Sequence, residues 1–182
     1  MNRTARIALG LGAAVLGLAA LIPAVLPGHY EVSRTAMVRG TPEAVTHYVS
    51  HFPDRLGWVP WTTQDPDAAY TFSGTPAVPG ATMAWDGEVI GSATLTLTSV
   101  TPGREVVSQL DYDAPFDLTS TDRFELVDQG DGTTRVTWTA SGALPYGPDR
   151  FFGLVADQVL GADYEAGLEK LDLLLAATAD RS

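Results

Sequence analysis

Apolar residues recur along this chain at two different periods, and one stretch near the start has no polar break at all. Period-two alternation marks strand-like runs at Tyr30–Val38, Tyr70–Gly74, Ala81–Asp86, Gly91–Thr101, Glu105–Asp113, Phe116–Val127 and Thr133–Ser141. Turn clusters such as Thr101-Pro102-Gly103 and Gln129-Gly130-Asp131-Gly132 separate them at short intervals, which predicts hairpins and an antiparallel sheet. Helical periodicity appears twice. Thr41-Pro42-Glu43 opens the first helix, with Thr as N-cap, Pro in the first turn and Glu near the positive end of the dipole. Its apolar stripe is Val45, Tyr48, Val49 and Phe52, and Pro53 closes it. The second helix spans about Pro148 to Ala177, with a stripe through Gly153, Ala156, Leu160, Tyr164, Leu168, Leu171 and Leu175. Gly153, Gly161 and Gly167 lie inside it, each costing about 1 kcal/mol relative to Ala. They suggest close backbone approach or room beneath the helix, with simple tolerance at an exposed site as the alternative for each.

Parity assigns the strand faces. Val136, Trp138 and Ala140 share one side of the last strand; Met83 and Trp85 go together, as do Val106, Leu110 and Tyr112. In Phe116–Val127 the apolar set Phe116, Leu118, Phe124 and Leu126 is interrupted by Ser120 and Asp122. A bulge that switches register is the expected explanation, with two inward polar groups as the alternative.

Residues Ile7 to Leu26 are free of charge and of strongly polar side chains. At helical rise such a run spans about 30 Å, the hydrocarbon thickness of a bilayer. Arg3 and Arg6 precede it and no further Lys or Arg occurs until Arg34. The charge rule then puts the N-terminus in the cytoplasm and the rest outside. Residues 1–28 are read as a cytoplasmic stub and single transmembrane anchor in the cell membrane, and 29–182 as one extracytoplasmic domain. A cleaved signal peptide with secretion is the rival reading, but Ile22-Pro23-Ala24-Val25-Leu26-Pro27 makes a poor cleavage site.

Composition narrows the chemistry. The 182 residues carry a net charge of −11 and 45% hydrophobic residues, so a real core is expected and nucleic-acid binding is not. Without cysteine, disulfides, thiolate nucleophiles, Cys-ligated zinc and iron–sulfur clusters are excluded. Lys170 is the sole lysine, and the skew toward Arg fits a GC-rich bacterial source.

The order of these pieces carries a resemblance. Thr41-Pro42-Glu43-Ala44-Val45 follows the first strand. Pro60-Trp61, Tyr70-Thr71-Phe72-Ser73-Gly74 and Trp85-Asp86-Gly87 come next. Gly132-Thr133-Thr134-Arg135-Val136-Thr137-Trp138 and Asp163-Tyr164-Glu165-Ala166-Gly167-Leu168 complete the series. From Tyr30 to Ala177 the chain resembles the START-like (SRPBCC) superfamily of polyketide cyclase/dehydrase and lipid-transport proteins. That resemblance implies an α+β helix-grip fold, a curved antiparallel sheet around a long C-terminal helix with an apolar cavity between them. It implies lipid or small-molecule binding in some members and polyketide cyclisation in others. Where related chains place basic residues near the Gly91 turn, this one has Glu88-Val89-Ile90-Gly91-Ser92, which speaks against an anionic ligand.

Candidate ligand-binding residues are the aromatics Trp58, Trp61, Trp85, Tyr112, Phe116, Phe124, Trp138, Tyr146 and Phe151. Trp85 and Trp138 fit either core or cavity wall. Trp58, Trp61, Tyr146 and Phe151 sit where loops supply a pocket mouth. The expected partner is a hydrophobic small molecule or lipid, with the membrane engaged through the N-terminal helix. No cofactor is expected. Glu43, His47 and His51 recur every fourth residue, but opposite the apolar stripe, so they are read as a solvated face and not as a metal site. No Ser-His-Asp or Cys-His mechanism has support. Two alternatives stand beside the binding protein. One is a cyclase/dehydratase-type enzyme using a buried Asp (Asp86, Asp113 or Asp122) with Tyr112 or Tyr146. The other is a non-enzymatic interaction module with a collapsed cavity.

Overall fold

The computed structural model describes residues 23–114 and 118–179. The expected anchor, apart from its last residues Pro23–Leu26, and the candidate Phe116 lie outside them. Among the described residues no helix is long and apolar enough to cross a membrane.

Strand β1 (His29–Arg39) leads into α1 (Pro42–Ser50) and two one-turn helices, α2 (Phe52–Arg55) and α3 (Trp61–Gln64). Six strands follow, β2 (Ala69–Ser73), β3 (Thr82–Gly87), β4 (Gly91–Thr101), β5 (Glu105–Ala114), β6 (Leu118–Asp128) and β7 (Thr133–Ala143). A 3₁₀ turn (Pro148–Phe151) then opens α4 (Phe152–Ala179). The seven strands form one antiparallel sheet in the order β1-β7-β6-β5-β4-β3-β2. The sheet is curved around α4, the helix-grip arrangement.

Local chemistry places α1 as its sequence predicts. Thr41 is the N-cap, its Oγ1 accepting from the Ala44 N–H at 3.3 Å, and Pro42 fills the first turn where no donor is needed. Val45, Val49 and Phe52 are buried. Pro53 does not simply end the helical segment. The chain breaks at His51 and re-enters a single turn, α2, in which Pro53 again occupies an initial position.

The expected bulge in β6 is absent. Its register runs unbroken against β5 from Leu118 to Glu125 and against β7 from Ser120 to Asp128. Ser120, Asp122, Phe124 and Leu126 therefore all point inward and all are buried. The irregularities lie between β4 and β5 instead, at Ser92/Ala93 and Leu97/Ser99. Two polar groups face the interior because partners wait for at least one of them, as described below.

The glycines of α4 mark close approaches. A Cβ on Gly161 would run into the guanidinium of Arg34, which lies across the helix between Asp157 (2.7 Å) and Glu165 (2.6 Å). Those ion pairs, with Arg39–Asp172 at 2.5 Å, tie α4 to β1. A Cβ on Gly167 would stand 3.0 Å from Cζ3 of Trp138. Trp138 cannot give way, because its ring is stacked on Tyr164 at 3.9 Å and on Phe124 at 4.8 Å. Overpacking at such a site costs about 1–3 kcal/mol, against about 1 kcal/mol gained from helix propensity. Gly167→Ala is thus expected to destabilise by about 1 kcal/mol, seen as a lower urea midpoint with an unchanged m-value.

Candidate functional site

A cavity of about 470 Å³ lies between the sheet and the first half of α4. The sheet contributes Tyr30, Leu110, Tyr112, Leu118, Ser120 and Ala140. Phe152, Leu160 and Tyr164 face these from α4, while Phe151, Val155 and Val159 form an exposed apolar rim. Asp149 is the one charged side chain among the described lining residues. The space exists because inward side chains shrink along two neighbouring strands. On β6 they pass from Phe124 to Ser120, and on β7 from Trp138 to Ala140 and Gly142.

Toward its inner end the cavity becomes polar without acquiring net charge. Tyr30, Tyr112 and Tyr164 all have phenol groups whose ionisation is pushed upward, chiefly by burial; the negative field of Asp122 adds to this in all three and the neighbouring phenols in Tyr112 and Tyr164, while the nearby Ser120 hydroxyl opposes it at Tyr30. Ser120 is buried there and its hydroxyl has no aligned hydrogen-bond partner among the described residues. All three tyrosines stay protonated near neutral pH. Because the folded state raises their pKa, their contribution to stability is intact below the unfolded value and is lost above it. Stability from this source is expected to be flat from about pH 7 to 9 and to fall once pH passes about 10, as checked by urea unfolding across that range.

Behind Tyr112 and Tyr164 lies a second void of about 10 Å³, room for one water at most. Arg55, Asp122, Trp61 and Trp85 line it, and Leu110, Tyr112 and Tyr164 border both spaces. Here is the partner of the inward carboxylate. Arg55 Nη2 donates to Asp122 Oδ2 at 2.7 Å, with the two side chains only 1% and 4% exposed. Trp138 Nε1 donates to the other oxygen, Oδ1. Among the described residues, Arg55 Nε and Nη1 have no hydrogen-bond acceptor. The guanidinium instead lies 5.1–5.6 Å from the ring centroids of Phe124, Trp138 and Trp58, within cation–π range.

The structure distributes eight of the nine candidate aromatics over four places. Tyr112 and Phe151 line the main cavity, and Trp61, Trp85 and again Tyr112 the small void. Trp58, Phe124 and Trp138 form the fully buried cage around Arg55, Trp58 also donating its Nε1–H to Tyr48 O at 3.0 Å. Tyr146 is exposed, with the Arg150 guanidinium 5.4 Å from its ring centroid. Phe116 lies outside the described residues. Sequence reasoning passed over Tyr30, Ser120, Ala140 and Tyr164 as cavity wall, and Arg55 altogether. Parity at Ser120 and Asp122 was the one available signal. Of the three candidate acids, Asp86 and Asp113 face solvent and Asp122 is buried with both oxygens engaged.

Comparison with known proteins agrees with this geometry. The family described as polyketide cyclase / dehydrase and lipid transport matches residues 29–176. The chain belongs to that family. Solved structures with the same fold include a solution structure from Thermobifida fusca, 21% identical with a TM-score of 0.59, covering 78% of this chain and 90% of that one. Another is protein CV1439 of Chromobacterium violaceum, 13% identical at TM-score 0.59 over 80% and 96% of the two chains. A third is PFC0360w, an HSP90 activator of Plasmodium falciparum, 14% identical at TM-score 0.56 over 81% and 96%. No curated protein matches the chain significantly. As a member of the polyketide cyclase/dehydrase and lipid-transport family, the chain has the fold of a hydrophobic-ligand-binding domain.

Proposed function

We propose that this family member binds a hydrophobic small molecule or lipid in the cavity between sheet and α4. In this reading the N-terminal apolar segment tethers it to the cell membrane, with the domain on the extracytoplasmic side. The observation that carries the binding reading is the 470 Å³ apolar space with its open rim at Phe151, Val155 and Val159. Burying apolar ligand surface there contributes about 2.5 kcal/mol per 100 Å² before the entropic cost of association. The inner end selects the head of such a ligand. Tyrosine and serine hydroxyls offer hydrogen bonds, and Asp122 neutralises Arg55, so an uncharged polar head fits better than an ionised one.

The tethering reading has its own support. Arg150, in the turn beside the rim, donates through Nη1 to Pro23 O at 2.8 Å and Leu26 O at 3.3 Å. These carbonyls belong to the end of the apolar run Ile7–Leu26, so the mouth sits where the chain leaves that segment. A tether there holds the opening close to membrane lipophiles.

Displacement of an environment-sensitive lipophilic dye from the purified chain tests the binding. Competition by uncharged single-chain amphiphiles, stronger than by their carboxylate counterparts of equal length, is the expected result. A dye that does not bind, or that no lipophile displaces, contradicts the proposal. For the tether, a reporter fused after Ser182 should be active only outside the cytoplasm.

A further inference from the structure

We propose that His47, His51 and Asp54 form a binding site for a divalent transition-metal ion of the zinc class, independent of the cavity. The break between α1 and α2 builds it. His51 caps α1, its N–H donating to His47 O at 2.8 Å, so the two imidazoles stand one helical turn apart on the same face. Their rings are stacked, with centroids 5.2 Å apart and planes inclined by 13°. Pro53 then turns the chain, and the Asp54 N–H donates to His51 O at 3.0 Å. That turn swings the Asp54 carboxylate under both rings. Its Oδ2 lies 2.9 Å from His47 Nε2 and 2.9 Å from His51 Nδ1, and the three ligand atoms all fall within 4.8 Å of one another.

Two details favour an ion over hydrogen bonds alone. First, the His51 contact is close but not aligned as a hydrogen bond, and Nδ1 is shielded from solvent with no other partner among the described residues. With its proton on Nε2, this nitrogen presents an unused lone pair to the cluster. Second, the spacing suits a metal. Donors about 2.0–2.2 Å from one ion and 90–109° apart are separated by about 3.0–3.5 Å, so the two 2.9 Å pairs need to open by a few tenths of an ångström and the two imidazole nitrogens, within 4.8 Å of each other, to close to the same spacing. Two imidazoles and one carboxylate suit zinc, nickel, cobalt or copper, whereas calcium and magnesium take oxygen-rich shells. Three protein ligands leave the remaining positions to water.

The surroundings do not compete. Arg55, next to Asp54 in sequence, is turned inward onto Asp122, so its charge is spent in the core. Glu43, four residues before His47 and read with it as part of a solvated face, is not a third ligand; its carboxylate lies against Gly103, where a Cβ would come within 2.6 Å of Oε1. Asp54 takes that place through the turn, which no helical periodicity reveals. A bound ion would pin the end of α1 to α2, just before the Trp58 loop, and would stabilise the fold by mass action.

The test is calorimetric titration of Zn²⁺ into the purified full chain after chelator treatment and buffer exchange, with melting curves in parallel. One ion per chain is expected, with a raised melting temperature and no competition from excess Mg²⁺. His47→Ala and Asp54→Asn each remove one ligand and should weaken Zn²⁺ binding at least about tenfold, whereas Glu43→Gln should not change it. His47 and Asp54 are exposed enough (55% and 40%) for both variants to fold. With Co²⁺ in place of Zn²⁺, the visible absorption of the complex should be lost in both variants. Absence of saturable Zn²⁺ binding, or binding that survives both substitutions unchanged, would overturn the proposal.

Discussion

Asp122→Ala is expected to cost about 3–5 kcal/mol of stability. Both partners of this carboxylate are buried, and removing it strands Arg55 as an uncompensated charge with three nitrogens lacking an acceptor. The aromatic cage of Trp58, Phe124 and Trp138 offsets part of that loss but cannot replace a carboxylate. Trp138 Nε1 is orphaned as well, adding the cost of an unmet buried donor. In a domain of this size such a loss lowers the melting temperature by on the order of 10 °C. The double replacement Arg55→Met with Asp122→Leu removes both charges and should recover most of the lost stability, because a buried ion pair and an apolar pair of similar volume are often nearly equivalent. Urea denaturation of the two variants checks this. A cost below about 1 kcal/mol for Asp122→Ala would mean that the pair is hydrated and does not organise the core.

Ala140→Phe is expected to abolish ligand binding while leaving a folded protein. Ala140 faces the cavity from β7, opposite the α4 residues that close it. A phenyl group there enters empty space and not a packed interior, so the stability change should stay within about 1–3 kcal/mol. A bound chain would collide with it, and the affinity for lipophiles should fall at least about tenfold, equivalent to about 1.4 kcal/mol. Thr139→Phe places the same bulk on the outer parity of the same strand and should leave affinity unchanged. Equal binding by the two variants would locate the ligand elsewhere.

Much of this fold was legible. Alternation set the strand faces, Pro/Gly turns set the hairpins, and Thr41-Pro42-Glu43 set the start of α1. The cluster of glycines in α4 signalled close approach, which Arg34 and Trp138 supply. What failed to show was pairing across distance. An arginine just after Pro53-Asp54 looks like any surface residue, and its partner is 67 positions away. Two inward polar residues on β6 looked costly enough to demand a bulge. The cost is met for Asp122 by Arg55 and Trp138, which period-two reasoning cannot see. Nor could parity separate aromatics that enclose space from those that fill it. Trp138 and Ala140 share one face of β7, yet one is packed on four rings and the other borders the void. The hollow is written in where the inward residues are small, not in where they are aromatic.

Native mass spectrometry of the full chain, purified from a membrane-containing host without strong detergent, reads out whether the space beneath α4 holds a lipophile. A one-to-one adduct of lipid or other hydrophobic mass is predicted, released into organic solvent on denaturation and missing from the Ala140→Phe protein. A bare mass, with no adduct regained after incubation with a broad set of neutral lipophiles, would contradict the account.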